Sequence, residues 1–164
     1  MTVAIESLLA RLAEAERRLV EHADVPLPDG LTDPEPATEE RWEAGQVWAH
    51  VAEFPGYWLS QAEAVLARPE SQPVRFGRTK TDAARIEAIE RDRHADPAAL
   101  LRRVREALAH VRGVAHDLPD AAWTVRGTHP TLGEMTVESI IERFIVRHLE
   151  EHAEQLDQLR AARG

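Results

Sequence analysis

Two residues with the clearest chemical potential sit in the segment Phe144-Ile145-Val146-Arg147-His148-Leu149-Glu150-Glu151-His152. His148 and His152 are four apart, and on a helix that spacing puts both imidazoles on one face, a turn from each other. The apolar positions around them are Val137, Ile141, Ile145, Leu156 and Leu159. Both histidines fall in the gap of that stripe, so their rings are expected to point inward, where a leucine would otherwise pack. An unpartnered polar ring there costs free energy. A divalent metal would satisfy the pair, and so would ordinary hydrogen bonds within the core.

The spacing alone is weak, because with eight histidines in the chain some pair four apart arises by chance on the order of one time in three. Placement adds weight. Two ligands from one helical turn leave a metal under-coordinated, and His50 offers a third from another helix. It lies on the same face as Val47, Phe54 and Tyr57, flanked by Val51 and Trp58. Three histidines leave a position for water or substrate, as catalytic sites do and closed structural sites do not. An all-imidazole set suits zinc, nickel, copper or iron, zinc and nickel first, and does not suit magnesium or calcium. Such a metal can lower the pKa of water or hold a thiol as thiolate. The chain has no cysteine, so any thiol must be external.

Glu53, three residues after His50, reads either as a base or a partner orienting a ligand ring, or as a solvated surface carboxylate. Glu151 beside His148 has the same two readings. Trp42, Trp48, Tyr57 and Trp58 either line an apolar pocket over the metal or are core. Arg147 reads as a carboxylate binder or an ordinary surface ion pair. His22 and His94 at helix ends, His110 and His116 six apart, and His129 in a loop are expected at the surface.

These residues need helices to hold them. Ile5, Leu8, Leu9, Leu12, Leu19 and Val20 recur at helical spacing over residues 3–22, which predicts a first helix. Residues 24–37 carry Pro26, Pro28, Pro34, Pro36 and Gly30; they exclude helix and central strand and form either an ordered loop around the bundle or a mobile linker. A second helix is expected from Thr38 or Glu39 to about Leu66, bent at Pro55. Residues 69–81 read as loop, and 82–93 as a short helix with Ala83, Ile86 and Ile89 as its small apolar face. Asp96-Pro97 is a helix start, and Leu100, Leu101, Val104, Leu108, Val111 and Val114 carry that helix to about Leu118. Residues 119–135 read as loop with at most a short extended piece. Thr136 caps the final helix, expected to reach about Ala162.

Four long amphipathic helices joined by loops imply an all-α four-helix bundle with long loops and one extra short helix, in a single domain over residues 1–164. Hydrophobic residues make up 43% and charged residues 30%, as in a soluble globular protein. The apolar runs are too short for a transmembrane helix. The N-terminus has no basic region ahead of an apolar one, so no secretory leader is expected. The lack of cysteine fits the cytoplasm. A net charge of −9 disfavours nucleic acid. A small-molecule substrate is the expected partner, with a homodimer left open.

Two blocks, RWEAGQVWAHVAEFPGYW from Arg41 to Trp58 and GEMTVESIIERFIVRHLEEHAEQL from Gly133 to Leu156, resemble the DinB-like superfamily, and the likeness extends over nearly the whole chain. The resemblance implies a four-helix bundle with a metal held by one histidine of the second helix and two ligands four apart on the last, here His50, His148 and His152. It further implies an S-transferase or isomerase that uses a low-molecular-weight thiol of the mycothiol or bacillithiol type on a small electrophile; a metal-dependent hydrolase and a non-catalytic metal-binding stress-response protein are the alternatives. There are departures. The mycothiol-dependent isomerase branch typically has glutamate where His148 stands, and its further C-terminal domain has no counterpart in these residues.

Overall fold

The computed structural model describes residues 1–67 and 74–162. In chain order the elements are α1 (Val3–Ala23), α2 (Ala44–Leu66), β1 (Val74–Arg75), α3 (Ala83–Asp92), α4 (Pro97–Asp117), a 3-10 turn (Asp120–Thr124), β2 (Arg126–His129), β3 (Gly133–Thr136), α5 (Val137–Ile141), a π-helical segment (Glu142–Arg147) and α6 (His148–Ala161). The last three run without a break as one long final helix. With α1, α2 and α4 it forms the four-helix bundle, and α3 is the extra short helix. Among the described residues no helix is long and apolar enough to cross a membrane.

Local chemistry sets the helix ends. The Thr2 and Asp82 side chains accept from the Ile5 and Arg85 backbone N–H groups, and Asp96 accepts from Ala98 ahead of Pro97. Thr136 accepts from Ser139 N at 3.1 Å, starting the final helix where the sequence places it. Each cap satisfies a donor that the helix leaves unpaired. The buried faces of α1, α2, α4 and the final helix share one core, built on Leu12, Leu19, Trp48, Phe54, Leu108, Ile145, Leu149 and Leu156. Surface-side pairs align α1 with the final helix: Arg11 reaches Glu150 at 2.8 Å and Glu142 at 3.1 Å.

The second helix begins at Ala44, not at Thr38 or Glu39. Glu39 has φ +56°, a left-handed conformation that a helix cannot include. Gln46 Oε1 accepts from Glu43 N at 3.0 Å and closes the start instead. Residues 24–43 are an ordered loop, locked by a reciprocal pair. Thr32 N donates to the Trp42 carbonyl at 2.8 Å, and Trp42 N donates to Thr32 Oγ1 at 2.9 Å. The helix then continues through Pro55 to Leu66. In α3, Ile86 is exposed, and Ala88 and Ile89 take the buried side.

Residues 74–75, read from sequence as loop, join Arg126–His129 and Gly133–Thr136 in a three-stranded sheet of order β1-β2-β3, more strand than the short extended piece expected within residues 119–135. β1 runs parallel to β2, with Val74 opposite Gly127. β2 runs antiparallel to β3, with Gly127 opposite Met135. Residues 69–73 of the expected loop lie outside the described residues. The sheet packs so tightly on α2 that a Cβ at Gly127 would stand 2.6 Å from Val65 Cγ2. Gly77 follows β1 with φ +91°, and a Cβ there would strike the His129 ring at 2.6 Å. These two glycines let the sheet close against the bundle beside His50 and His148.

Candidate metal centre

His50 comes from the middle of α2, and His148 and His152 from the first turn and a half of α6. The π segment just before His148 decides how they face. Its wider turn keeps Ile141, Ile145, Leu149 and Ala153 in the core at a steady four-residue spacing, which an unbroken α-helix would let drift. Leu149 and Ala153 fill the centre of the seam, both fully buried. His148 and His152, each one residue earlier, lie on its flank and meet His50.

The three rings converge through the same atom. His50 Nε2 lies 2.9 Å from His148 Nε2, and His152 Nε2 lies 3.2 Å from it. One ligand nitrogen from each histidine falls within 4.8 Å of the others. A tetrahedral zinc with Zn–N of 2.0–2.1 Å sets its nitrogens roughly 3.3 Å apart, so these positions need little change to share an ion.

The outer nitrogens explain why the inner ones meet. His152 Nδ1 lies 2.7 Å from Gln155 Oε1, and His148 Nδ1 lies 3.4 Å from Glu151 Oε2. His50 Nδ1 lies 3.3 Å from Glu53 Oε2, close but not aligned as a hydrogen bond, and both buried atoms lack a hydrogen-bond partner. Every partner is three residues downstream on the same helix. For His148 and His152 an acceptor at Nδ1 favours the ring proton there, which leaves the Nε2 lone pair free. Two such lone pairs then face each other beside His50 Nε2, an arrangement that a cation would complete. The orienting acceptors are those that metal-ligating histidines commonly carry.

Electrostatics agrees. Burial first, then the neighbouring histidines, pushes the His50 and His152 pKa values well below the ordinary imidazole range. Both rings are therefore neutral at pH 7, the form that binds metal. Trp42 stands edge-on to His50 at 5.2 Å and parallel to His152 at 6.0 Å; Phe54 lies 4.5 Å from His148. These rings form an apolar wall on one side of His50 and His152, while His148 stays partly exposed. The Thr32–Trp42 bridge holds Trp42, which gives the proline-rich loop its place in the site. Glu53 is nearly buried and paired with Arg78. Burial raises its pKa, and the Arg78 charge opposes that rise.

A cavity of about 450 Å³ opens beside the rings of His50 and His148, lined also by Trp58, Arg78, Arg85, His129, Arg143 and Phe144. A smaller one of about 70 Å³ reaches all three histidines from the side of Trp42 and Gln155. Trp58 and Phe144 stack at 4.0 Å and form an aromatic wall of the larger cavity. Trp42, Trp48 and Trp58 are all core residues, and two of them also line cavities. Tyr57 is partly buried under the Arg78 guanidinium, 3.8 Å from its ring centre. Arg147 pairs with Glu151 at the surface, 3.4 Å away.

Two histidines expected at the surface are buried. His22 pairs with Asp157 at 2.6 Å. His129 in β2 accepts from Thr131 and Leu132 N at 3.3 Å, because the unrecognised hairpin folds it into the cavity wall. Gln155 was also legible: it stands to His152 as Glu53 stands to His50. Arg78, Arg85 and His129 gave no such signal, since loops and α3 bring them in from separate parts of the chain.

A helical bundle whose second and last helices present three imidazoles to one point is a candidate metal-binding protein by fold and donor set. The family model of the DinB superfamily matches residues 7–156, and the chain belongs to that superfamily. None of the curated proteins matches it. Among solved structures it is similar to YfiT from Bacillus subtilis, described as a probable metal-dependent hydrolase with an unusual four-helix bundle topology. The likeness has a TM-score of 0.78 at 19% identity and covers 100% of this chain and 90% of that one. It is also similar to a mycothiol-dependent maleylpyruvate isomerase, with a TM-score of 0.66 at 18% identity over 95% of this chain; that match spans 63% of the isomerase. An uncharacterised protein from Escherichia coli UTI89 gives a TM-score of 0.68 at 11% identity, over 97% of this chain and 94% of that one.

Proposed function

We propose that His50, His148 and His152 hold one divalent ion, zinc or nickel, and that the protein is a metal-dependent transferase joining a low-molecular-weight thiol to a small electrophile. The observation that carries the reading is the convergence of three Nε2 atoms at 2.9 and 3.2 Å, two of the rings turned by an acceptor on the other nitrogen, at the wall of a cavity large enough for substrate. A divalent ion there supplies Lewis acidity, which favours the deprotonated form of an external thiol or of water. With no cysteine in the chain, a sulfur nucleophile has to enter from solution.

The other parts follow from this chain's own residues. Glu53 orients the His50 ring: one oxygen faces Nδ1 and the other faces Arg78. We therefore assign it to positioning rather than to proton abstraction from substrate, which needs an oxygen on the cavity wall. Trp42 and Phe54 pack their rings against those of the histidines. The cavity beside His50 and His148 favours a working site over a closed one. Residues 1–164 act in this reading as one domain.

Hydrolysis is the second reading, favoured by the likeness to YfiT along 90% of its length. Loss of free thiol separates the two. Zinc- and nickel-loaded protein is incubated with mycothiol or bacillithiol and monochlorobimane, and in parallel with p-nitrophenyl acetate and no thiol. Thiol-dependent adduct formation that disappears in His148→Ala supports the transferase. Ester cleavage alone, equally lost in that variant, replaces it with the hydrolase. Stoichiometric metal with neither activity overturns both.

A further inference from the structure

The larger cavity carries a charge opposite to that of the whole protein. The chain has 29 acidic and 20 basic residues, yet Arg78, Lys80, Arg85 and Arg143 line this cavity and no carboxylate does. Two of these cations are already neutralised: Arg78 pairs with Glu53, and Lys80 pairs with Glu35 at 2.6 Å. The other two are not. Among the described residues, neither Arg85 nor Arg143 has a carboxylate within ion-pair distance. Arg85 is half-buried. One of its guanidinium nitrogens donates to the Lys80 carbonyl at 2.8 Å, and the group stands 5.3 Å from the Trp42 ring centre. It lines both cavities that reach the histidines, and Arg143 lines the larger one together with Phe144 and His129.

Glu40, Glu53 and Asp82 act on Arg85 only from beyond ion-pair distance, and a half-buried guanidinium with no direct carboxylate partner is incompletely neutralised. Its planar fork matches a carboxylate or phosphate in two-point contact. Phe144, partly buried and stacked on the buried Trp58, gives the same cavity an aromatic wall, against which an aromatic or conjugated body packs favourably.

We infer that the substrate is a small anion with a flat apolar body, its carboxylate or phosphate held by Arg85 with Arg143 in support, and its body laid against Trp58 and Phe144. This rests on the reading of the cavity as the place where substrate meets the three histidines. Arg85 is then the residue that sets specificity: it holds the charged end of the substrate on one side, while the reacting end is turned to the histidines.

Binding calorimetry tests this with benzoate, its neutral isostere benzamide and the ringless anion acetate, on chelator-treated and on zinc-loaded protein. Benzoate should bind roughly ten- to a hundredfold more tightly than benzamide, the usual scale for a charge-assisted two-point contact. It should also bind more tightly than acetate. Arg85→Ala should abolish the preference for benzoate over benzamide, Arg85→Lys should keep part of it, and the exposed control Arg17→Ala should keep all of it. If Arg85→Ala does not fold, 0.5 M salt on the unaltered protein serves instead, weakening benzoate and not benzamide.

Equal affinities for benzoate and benzamide overturn the inference, as does benzoate binding that survives Arg85→Ala. A preference present only in zinc-loaded protein and insensitive to Arg85→Ala means that the ion holds the anion, so the inference fails while the metal reading stands. An Arg85-dependent preference in protein that takes up no zinc leaves the inference standing and removes the metal reading.

Discussion

The final helix carries two buried histidine arrangements, and they differ in what the rings face. Toward α1, His22 is 3% exposed and its Nε2 lies 2.6 Å from Asp157, whose carboxylate also takes Arg18. Burial alone would raise the Asp157 pKa, but hydrogen bonds from Arg18 and His22 outweigh it and hold the carboxyl below its ordinary range. Toward α2, His50, His148 and His152 place their acceptors on Nδ1 and turn Nε2 on one another. The first arrangement is complete as it stands: a ring, a carboxylate and a guanidinium account for one another's charge. The second brings three ring nitrogens together with no carboxylate among them, an arrangement a cation would complete. A buried histidine is thus no evidence of a metal site; the evidence is which nitrogen has been given a protein partner.

The largest difference between the two should appear on metal removal. A ligand at a thousandfold excess over its Kd stabilises the folded state by about 4 kcal/mol. Chelation should therefore lower Tm by roughly 8–16 °C for a chain of this size. Scanning calorimetry with and without chelator should show the drop in the unaltered protein and in His22→Ala, and not in His152→Ala. A drop that survives His152→Ala breaks the comparison.

Next comes His22→Ala itself. It leaves the Asp157–Arg18 pair without its third member and removes a buried ring, which costs about 2–3 kcal/mol. Denaturant unfolding should record that loss, while the bound metal measured by elemental analysis stays unchanged.

Acid should separate the two arrangements by pH. The folded-state pKa values of His50 and His152 are depressed, so the unfolded chain binds more protons there. Their contribution in metal-free protein is fully present above about pH 6.5 and is lost as pH falls below it. Asp157 is also depressed, but its contribution is lost only in the ordinary carboxylate range, below about pH 4. Thermal scans of chelated protein from pH 8 to 4 should show an early loss that His50→Gln together with His152→Gln removes and His22→Ala does not.

The smallest effect sharpens the comparison. Glu53→Gln keeps an acceptor near His50 Nδ1 and removes the charge. It should weaken metal affinity about tenfold, the lower end for a ligand-orienting partner, with metal competition titration as the readout. An unchanged affinity would return Glu53 to a purely structural pair with Arg78.

The four helices were legible because their apolar positions recur at helical spacing and their caps are local: Thr2, Asp96 and Thr136 act within three residues of themselves. The three histidines were legible because His50 and His152 are buried on long helices and His148 stands one turn from His152 at the edge of the same face. The small sheet was not. Its strands are two to four residues of mixed character, Arg-Gly-Thr-His and Gly-Glu-Met-Thr among them, and they are held by packing on α2 rather than by propensity. The late start of α2 depends on Glu39 and on the Thr32–Trp42 bridge, a contact ten residues long that no local pattern announces. The π segment, which sets Leu149 rather than His148 at the centre of the seam, likewise follows from tertiary packing. His22 was misplaced at the surface because its partner Asp157 lies 135 residues away.

The central claim is that three Nε2 atoms share one ion, and X-ray absorption at the metal edge tests it most directly. Untagged protein loaded with one equivalent of zinc should give about three imidazole nitrogens at 2.0–2.1 Å, falling to two in His148→Ala with weaker retention of the ion. A spectrum with no imidazole scattering, or one that His148→Ala leaves unchanged, would contradict the account.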